Sequence, residues 1–179
     1  MRLIIFCIGI FALKSSEGAT NNFVVKNAVS DMRKTLVDPL LTRTKNADIM
    51  LSEMRKLYDN KISLLDKKIS LLGKSAVEGP DPDSCMLFKE SLDKAQGISN
   101  KAAVLALHVV ADLTDILMSS EDCLTIWIPT AINCSAHKLK DVKDTYGKYS
   151  QELKEVDSEL VEALKTSGKE FVSCFKRVN

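Results

Sequence analysis

The chain of 179 residues carries 25 Lys and Arg against 24 Asp and Glu, which gives a formal net charge of +1. Charges of both signs are interspersed, so the chain lacks the basic patch of a nucleic-acid-binding protein and no nucleic-acid partner is expected. Gly, Pro and aromatic residues are scarce, whereas Leu, Lys, Ala and Glu are abundant. This bias is typical of helical bundles and not of β-sandwiches or α/β enzymes.

The N-terminus has the pattern of a secretory signal peptide. A positively charged start is followed by an apolar run over residues 3–13 and by small residues up to Gly18. The run is too short to span a bilayer, and we predict cleavage after Gly18 in preference to Ala19, which makes residues 1–18 the signal peptide. An uncleaved membrane anchor is the alternative. Cleavage removes Cys7 and leaves an even number of cysteines, so we expect a secreted, extracellular protein with no remaining transmembrane segment.

Four cysteines remain, at Cys85, Cys123, Cys134 and Cys174, and the first and last intervals between them have the pattern of long helices. Bridging the two ends of one helix would join atoms roughly 55 Å apart, although bridged Cα atoms lie within about 7 Å. Pairing Cys85 with Cys134 requires parallel helices, but the segment between Cys123 and Cys134 reaches only about 35–40 Å. The remaining pairing is Cys85–Cys174 with Cys123–Cys134, which closes both ends of an antiparallel helical hairpin.

The two helices of this hairpin carry different apolar patterns. The last helix, about Ser135–Phe175, has a narrow stripe with spacings of three and four, which shifts by one position after Leu160. Its partner runs from about Asp83 or Ser84 to Met118, and over residues 102–110 its apolar character spreads to several faces. Such a helix needs neighbours on more than one side. The stripe of the last helix comprises Leu139, Val142, Tyr146, Tyr149, Leu153, Val156, Leu160, Leu164, Ser167, Phe171 and Cys174.

The N-terminal third supplies the third long helix. A helical pattern over residues 23–37 is interrupted at Asp38-Pro39, because proline disfavours α geometry in the residue before it. The pattern resumes to Leu72 and stops at Gly73, with inward positions that include Leu41, Ala47, Met50, Leu51, Met54, Leu57, Tyr58, Ile62, Leu65, Ile69 and Leu72. We therefore predict an all-α fold, an antiparallel bundle of three long helices with the first broken near Pro39. Residues 19–179 form a single domain: N-terminal helices 19–74, linker 75–84 and disulfide-closed hairpin 85–179.

The segment between the inner cysteines, residues 124–133, is the most unusual local feature. It holds the single tryptophan, Trp127, between Ile126 and Ile128, and is predicted to form a loop at one tip of the bundle. These three residues are candidate binding residues for a partner, lipid surface or elongated ligand. Alternatively, the loop folds back and Trp127 plugs the end of the bundle. Asn133-Cys134-Ser135 matches the N-glycosylation pattern, so Asn133 is a candidate glycosylation site.

Catalytic chemistry finds little support in the sequence. His108, Asp112 and Asp115 have helical spacing, but a partly buried histidine with a local hydrogen bond is expected there instead of a metal site. There is no Gly-x-Ser-x-Gly motif and no glycine-rich phosphate loop, and the paired carboxylates lie on faces expected to be solvated. We predict a non-enzyme with no cofactor and no metal.

The short leader, the lysine-rich long helices and the four cysteines resemble secreted helical insect proteins of the tsetse EP type, although the cysteine spacing departs from their pattern. The resemblance covers residues 19–179 and implies an immune-linked factor of midgut or haemolymph, without a known reaction. We expect a protein that binds another extracellular macromolecule. One alternative is a carrier of lipid or another apolar ligand, which uses a gap beneath Ala102, Ala103 and Ala106 or opens its helices onto a lipid surface. Another is a coiled-coil protein that self-associates through the last helix. A monomer or weak homo-oligomer is expected.

Overall fold

The computed structural model describes residues 23–73, 79–125 and 128–176, and these residues form helices without any strand. The first long helix comprises α1 (residues 23–32), a π-helical segment (Arg33–Val37) and α2 (Asp38–Leu72). The second is α3 (Pro82–Glu121), followed by a 3₁₀ turn (Asp122–Thr125), and the third is α4 (Ile128–Cys174). The protein is thus an all-α bundle of three long helices, as the sequence predicts.

Near Pro39, where the sequence predicts a kink or short break, the helix continues without a gap and widens into the π-helical segment Arg33–Val37. The N–H of Asp38 donates to the carbonyl of Arg33, five residues earlier, because Pro39 has no N–H with which to continue the α-helical pattern. The wider turn adds one residue between inward positions. Met32 is buried, but the next buried side chain is Val37, and Leu36 is only half-buried.

The ends of α2 and α3 follow local sequence signals. Gly73 ends α2 with a positive φ of 83°, which only glycine adopts without strain, so the predicted stop is confirmed. α3 begins at Pro82, one or two residues before the predicted start, since proline lacks only an N–H that the first turn leaves unused. Asp81 precedes it: its carbonyl accepts from the N–H of Cys85 at 2.9 Å, and its own N–H donates to Cys174 at 3.2 Å.

Both predicted disulfides are formed. Cys85 pairs with Cys174 at a Cα–Cα distance of 4.5 Å, and Cys123 pairs with Cys134 at 5.6 Å. The start of α3 is therefore bonded to the end of α4, and the residues just after α3 are bonded to the second turn of α4. This connectivity requires α3 and α4 to run antiparallel.

The described residues belong to two compact units. The Cys85 unit comprises Leu40–Val104 and Lys154–Asn179, and the Cys123 unit comprises Met1–Pro39 and Leu105–Leu153. In the Cys85 unit, the buried Cys85–Cys174 disulfide and Phe88 lie in an apolar cluster. The aromatic rings of that cluster contact one another in tilted or edge-to-face arrangements, with centroid distances of 5.2–5.8 Å, in the pairs Tyr58–Phe88, Tyr58–Phe175, Phe88–Phe171 and Phe171–Phe175.

The Cys123 unit has an apolar interior, and Asp112 of α3 contacts both Tyr149 and Lys148 of α4. Its buried residues include Val25, Val29, Met32, Val109, Leu113, Ile116, Cys123 and Val142. The Tyr149 hydroxyl donates to Asp112 at 2.8 Å and accepts from the Lys148 ammonium at 2.6 Å. The hydrogen bond from Lys148 to Tyr149 is the main cause that raises the pKa of Lys148 above its ordinary 10.5.

The packing of α4 and α2 differs in part from the expectation. After Leu160 the stripe of α4 becomes wider, because Ala163 is buried while Leu164 and Phe171 of the predicted shifted stripe also pack against the Cys85 cluster. On α2, three predicted inward residues, Met50, Leu57 and Leu72, are 38%, 53% and 65% exposed, so that face is not covered. On α4, Tyr146 is 44% exposed, and the stripe residues that are buried in the bundle, such as Leu153, are not free for self-association.

Candidate binding surface

The predicted tip residues lie largely outside the described part of the chain. The structure does not describe Ile126 and Trp127. Ile128 is the first residue of α4, but its side chain is not described, so the binding role of these three residues stays a prediction. The segment is less of a loop than expected, since Cys123 lies in the 3₁₀ turn and α4 begins seven residues before the predicted Ser135. Proline at the second position of α4, Pro129, is compatible with such an early start.

Asn133, the candidate glycosylation site, lies in the second turn of α4 and its side chain is exposed. The next residue is Cys134, half of the inner disulfide, and Ser135 of the same motif is buried with 7% exposure. The acceptor amide is therefore accessible in the folded protein, but the serine hydroxyl of the motif is not.

The outward face of α3 in the Cys123 unit carries large apolar side chains among polar ones such as His108 and Asp115. Leu107 and Met118 are 58% and 67% exposed, and Val110 and Leu117 beside them are half-buried. The sequence signal was present, because the apolar character of residues 102–110 spreads around the helix. α3 contacts both α2 and α4, as expected, through Ser99 and Asp112. These neighbours still leave Leu107 more than half exposed. A large apolar side chain on an exposed helix face adds to a patch that a partner can bury.

A groove of about 420 Å³ lies between α1 and this half of α3. Its walls are mainly apolar and include Val29, Val110, Leu113, Leu117 and Met118. Charged groups lie at its edge, where Lys26 is 3.6 Å from Glu121 and Arg33 forms a salt bridge with Asp38 at 3.1 Å. An apolar centre with a charged rim is the usual anatomy of a protein–protein contact surface.

Together, the exposed apolar side chains of α3 and this groove form the candidate surface of the Cys123 unit, which we call the α1–α3 surface: Leu107, Val110, Leu117 and Met118, with Val29 and Leu113, which line the groove but are buried. Sequence reasoning did not select these residues. Their helical spacing shows which of them share a face, but it does not show whether a neighbouring helix covers that face.

The residues considered for metal binding do not come together. His108 is exposed and not partly buried as expected, while Asp112 accepts the hydrogen bond of Tyr149. Within residues 23–73, 79–125 and 128–176, no group of three or more His, Cys, Asp or Glu side chains has the arrangement of a metal site. Ala102 and Ala106 are fully buried, and the α1–α3 groove and two other surface grooves are not lined by them, so the predicted gap beneath these alanines is not seen there.

α3 is also the one described helix that is long and apolar enough to cross a membrane by length and composition alone. A core helix of a soluble protein meets the same criterion, but 33% of the most apolar window of α3 is buried. Leu107 and Met118 are among its exposed apolar side chains.

Against known proteins, the chain matches no family model, no curated protein and no solved structure.

Proposed function

We propose that this protein is a secreted, non-catalytic helical protein that acts by binding another extracellular macromolecule through the α1–α3 surface. The observation that carries the proposal is the exposure of Leu107 and Met118, 58% and 67%, beside a groove with apolar walls. Large apolar side chains that stay exposed next to a groove contribute to binding when a partner removes them from water. The charged groups Lys26, Arg33 and Glu121 at the rim contribute orientation and association rate more than affinity.

Secretion is supported by the predicted leader and by the cysteines. The structure pairs the four cysteines outside residues 1–18 in two disulfides, Cys85–Cys174 and Cys123–Cys134. Disulfides of this kind persist in oxidising compartments and are rare in the cytosol. The resemblance to secreted helical insect proteins points in the same direction and suggests a host, gut or haemolymph factor.

A lipid or apolar-ligand carrier is the second candidate. Its support is the incomplete burial of the apolar helix α3 and the exposed Leu107, which can insert between acyl chains. Ala102 and Ala106 are buried and line none of the three surface grooves, so this candidate relies on lipid binding at the exposed helix surface.

A matched pair of double variants tests the proposal. Leu107→Ser/Met118→Ser removes two exposed side chains of the α1–α3 surface, whereas Leu87→Ser/Val172→Ser removes two side chains of the Cys85 unit that are 49% and 65% exposed. Each immobilised protein is exposed to extracellular fluid of its source, and bound material is identified by mass spectrometry.

We expect the wild-type protein and the control to retain the same bound protein, and the surface variant to retain at least tenfold less of it. If the surface variant binds as well as the wild type, the assignment of this surface is wrong. Liposomes of neutral and anionic phospholipid are assayed in parallel: binding to liposomes alone, lost in the surface variant, would replace the proposal with the carrier. Trp127→Ala in the same assay tests the predicted tip.

A further inference from the structure

A second uncovered apolar stripe lies on α2, in the Cys85 unit. Met50, Leu57, Leu64 and Leu71 follow one another at intervals of seven residues, and their exposed fractions are 38%, 53%, 60% and 83%. Seven residues are nearly two helical turns, so the four side chains lie in line on one face and drift by only about 20° at each step. Leucines repeated at this interval are typical of a coiled-coil contact line.

This stripe is distinct from the inward face of α2. The inward face carries Leu51 and Leu65, which are buried, and half-buried Met54, Tyr58 and Ile62 pack against the same cluster. Lys61 lies between Leu57 and Leu64 along the helix, but its ammonium is 4.7 Å from the centroid of the Phe175 ring. The long side chain of Lys61 is therefore directed to the bundle, and the two leucines beside it remain uncovered.

The residues that flank the stripe form a self-complementary pattern. Glu53, Asn60 and Lys67 are also seven residues apart, and all three are exposed. When two copies of α2 run antiparallel with Asn60 opposite itself, Glu53 of each copy lies opposite Lys67 of the other. The same alignment, within one residue, places Leu57 opposite Leu64 and Met50 opposite Leu71. A parallel alignment instead places the lysine-rich ends of the two helices, which include Lys67, next to each other, so that like charges meet.

We propose that the stripe Met50–Leu57–Leu64–Leu71 binds a second copy of this chain, in an antiparallel and two-fold symmetric contact. In such a contact the same patch is used on both copies, and each Glu53–Lys67 pair occurs twice. Opposite charges at flanking positions set orientation and partner choice, while the leucines supply the apolar burial. A contact of one helix pair is small, so the dimer is weak and forms at micromolar concentration or above. The inference uses none of the residues of the α1–α3 surface and does not depend on the proposed function.

The first test measures mass against concentration. Sedimentation velocity of the purified wild-type protein, from low micromolar to several hundred micromolar, should show a shift from one to two chain masses. Leu57→Ser/Leu64→Ser should weaken the dimer at least tenfold, and the control Leu107→Ser/Met118→Ser, on the other surface, should not. Leu57, Leu64 and the control residues are all more than half exposed, so the variants should retain the wild-type circular dichroism and melting temperature.

The second test establishes the orientation by charge reversal. Glu53→Lys and Lys67→Glu should each weaken the dimer, because each places like charges opposite one another in the antiparallel alignment. The double variant Glu53→Lys/Lys67→Glu should restore it, since it exchanges the two charges of both pairs.

A wild-type protein that stays monomeric at several hundred micromolar overturns the proposal, whether or not it binds liposomes. A dimer that is insensitive to the leucine variants overturns the assignment of the stripe. A failure of the double charge reversal to restore the dimer overturns the antiparallel alignment.

Discussion

Phe88 is the residue whose replacement should cost the bundle most. Its side chain is fully buried in the Cys85 unit, with the rings of Tyr58 and Phe171 at centroid distances of 5.4 and 5.2 Å. Burial of a large apolar side chain contributes about 1.5–3 kcal/mol, and each aromatic contact adds about 0.5–1.5 kcal/mol. With the cavity left behind, Phe88→Ala should lower the free energy of unfolding by about 3–5 kcal/mol.

This loss is a large fraction of the about 5–15 kcal/mol that stabilises a typical domain. Urea unfolding followed by circular dichroism at constant disulfide state measures it, and the denaturant slope should stay that of the wild type. Phe23→Ala is the matched control, since Phe23 is 62% exposed at the start of α1 and its loss should change stability by less than about 0.5 kcal/mol. A loss below about 1.5 kcal/mol for Phe88→Ala would refute a closely packed aromatic cluster.

Two further predictions concern polar contacts. Ser99, 1% exposed, donates to Asp48 at 2.9 Å, so Ser99→Ala should lower the free energy of unfolding by about 1 kcal/mol; equal or higher stability in urea unfolding would contradict a role for this bond. The pKa of Lys148 is raised, first by its hydrogen bond to Tyr149. The stabilisation that this contact contributes is therefore complete below pH 10.5 and is lost as the pH rises above that value. The difference in melting temperature between the wild type and Lys148→Met should therefore shrink above that pH, with Lys143→Met as the control; a constant or growing difference would show that the contact is not formed.

The bundle and its disulfides could be predicted because they follow from few physical constraints. Helix length and the reach of the ten residues between Cys123 and Cys134 leave one cysteine pairing. Gly73 marks the end of the first long helix, and Pro39 marks its distorted region. The form of the interruption could not be predicted, because a gap and a widened turn both satisfy the backbone near a proline. Likewise, Pro129 is compatible with a start of α4 either before Cys134, as in the structure, or after it.

The exposed apolar surfaces could not be predicted from the sequence for a different reason. Periodicity shows that Leu57 or Leu107 shares a face with other apolar residues, but a three-helix bundle has too few neighbours to cover each such face. Sequence reasoning therefore placed Leu57 in the core, where the structure exposes 53% of it. Which apolar face remains uncovered depends on the directions of the neighbouring helices, and those directions result from packing between distant parts of the chain.

The nested order of the two disulfides has a consequence for proteolysis. One peptide-bond cut within either long arm of the hairpin, between Cys85 and Cys123 or between Cys134 and Cys174, leaves fragments that the remaining bonds hold in one molecule. A cut between Gly73 and Gly79 has the opposite result, because no disulfide joins the N-terminal helices to the hairpin. On a non-reducing gel a digestive protease would therefore produce either a nicked species of unchanged mass or a clean separation of the first helix, and the two products report which part of the chain was cleaved.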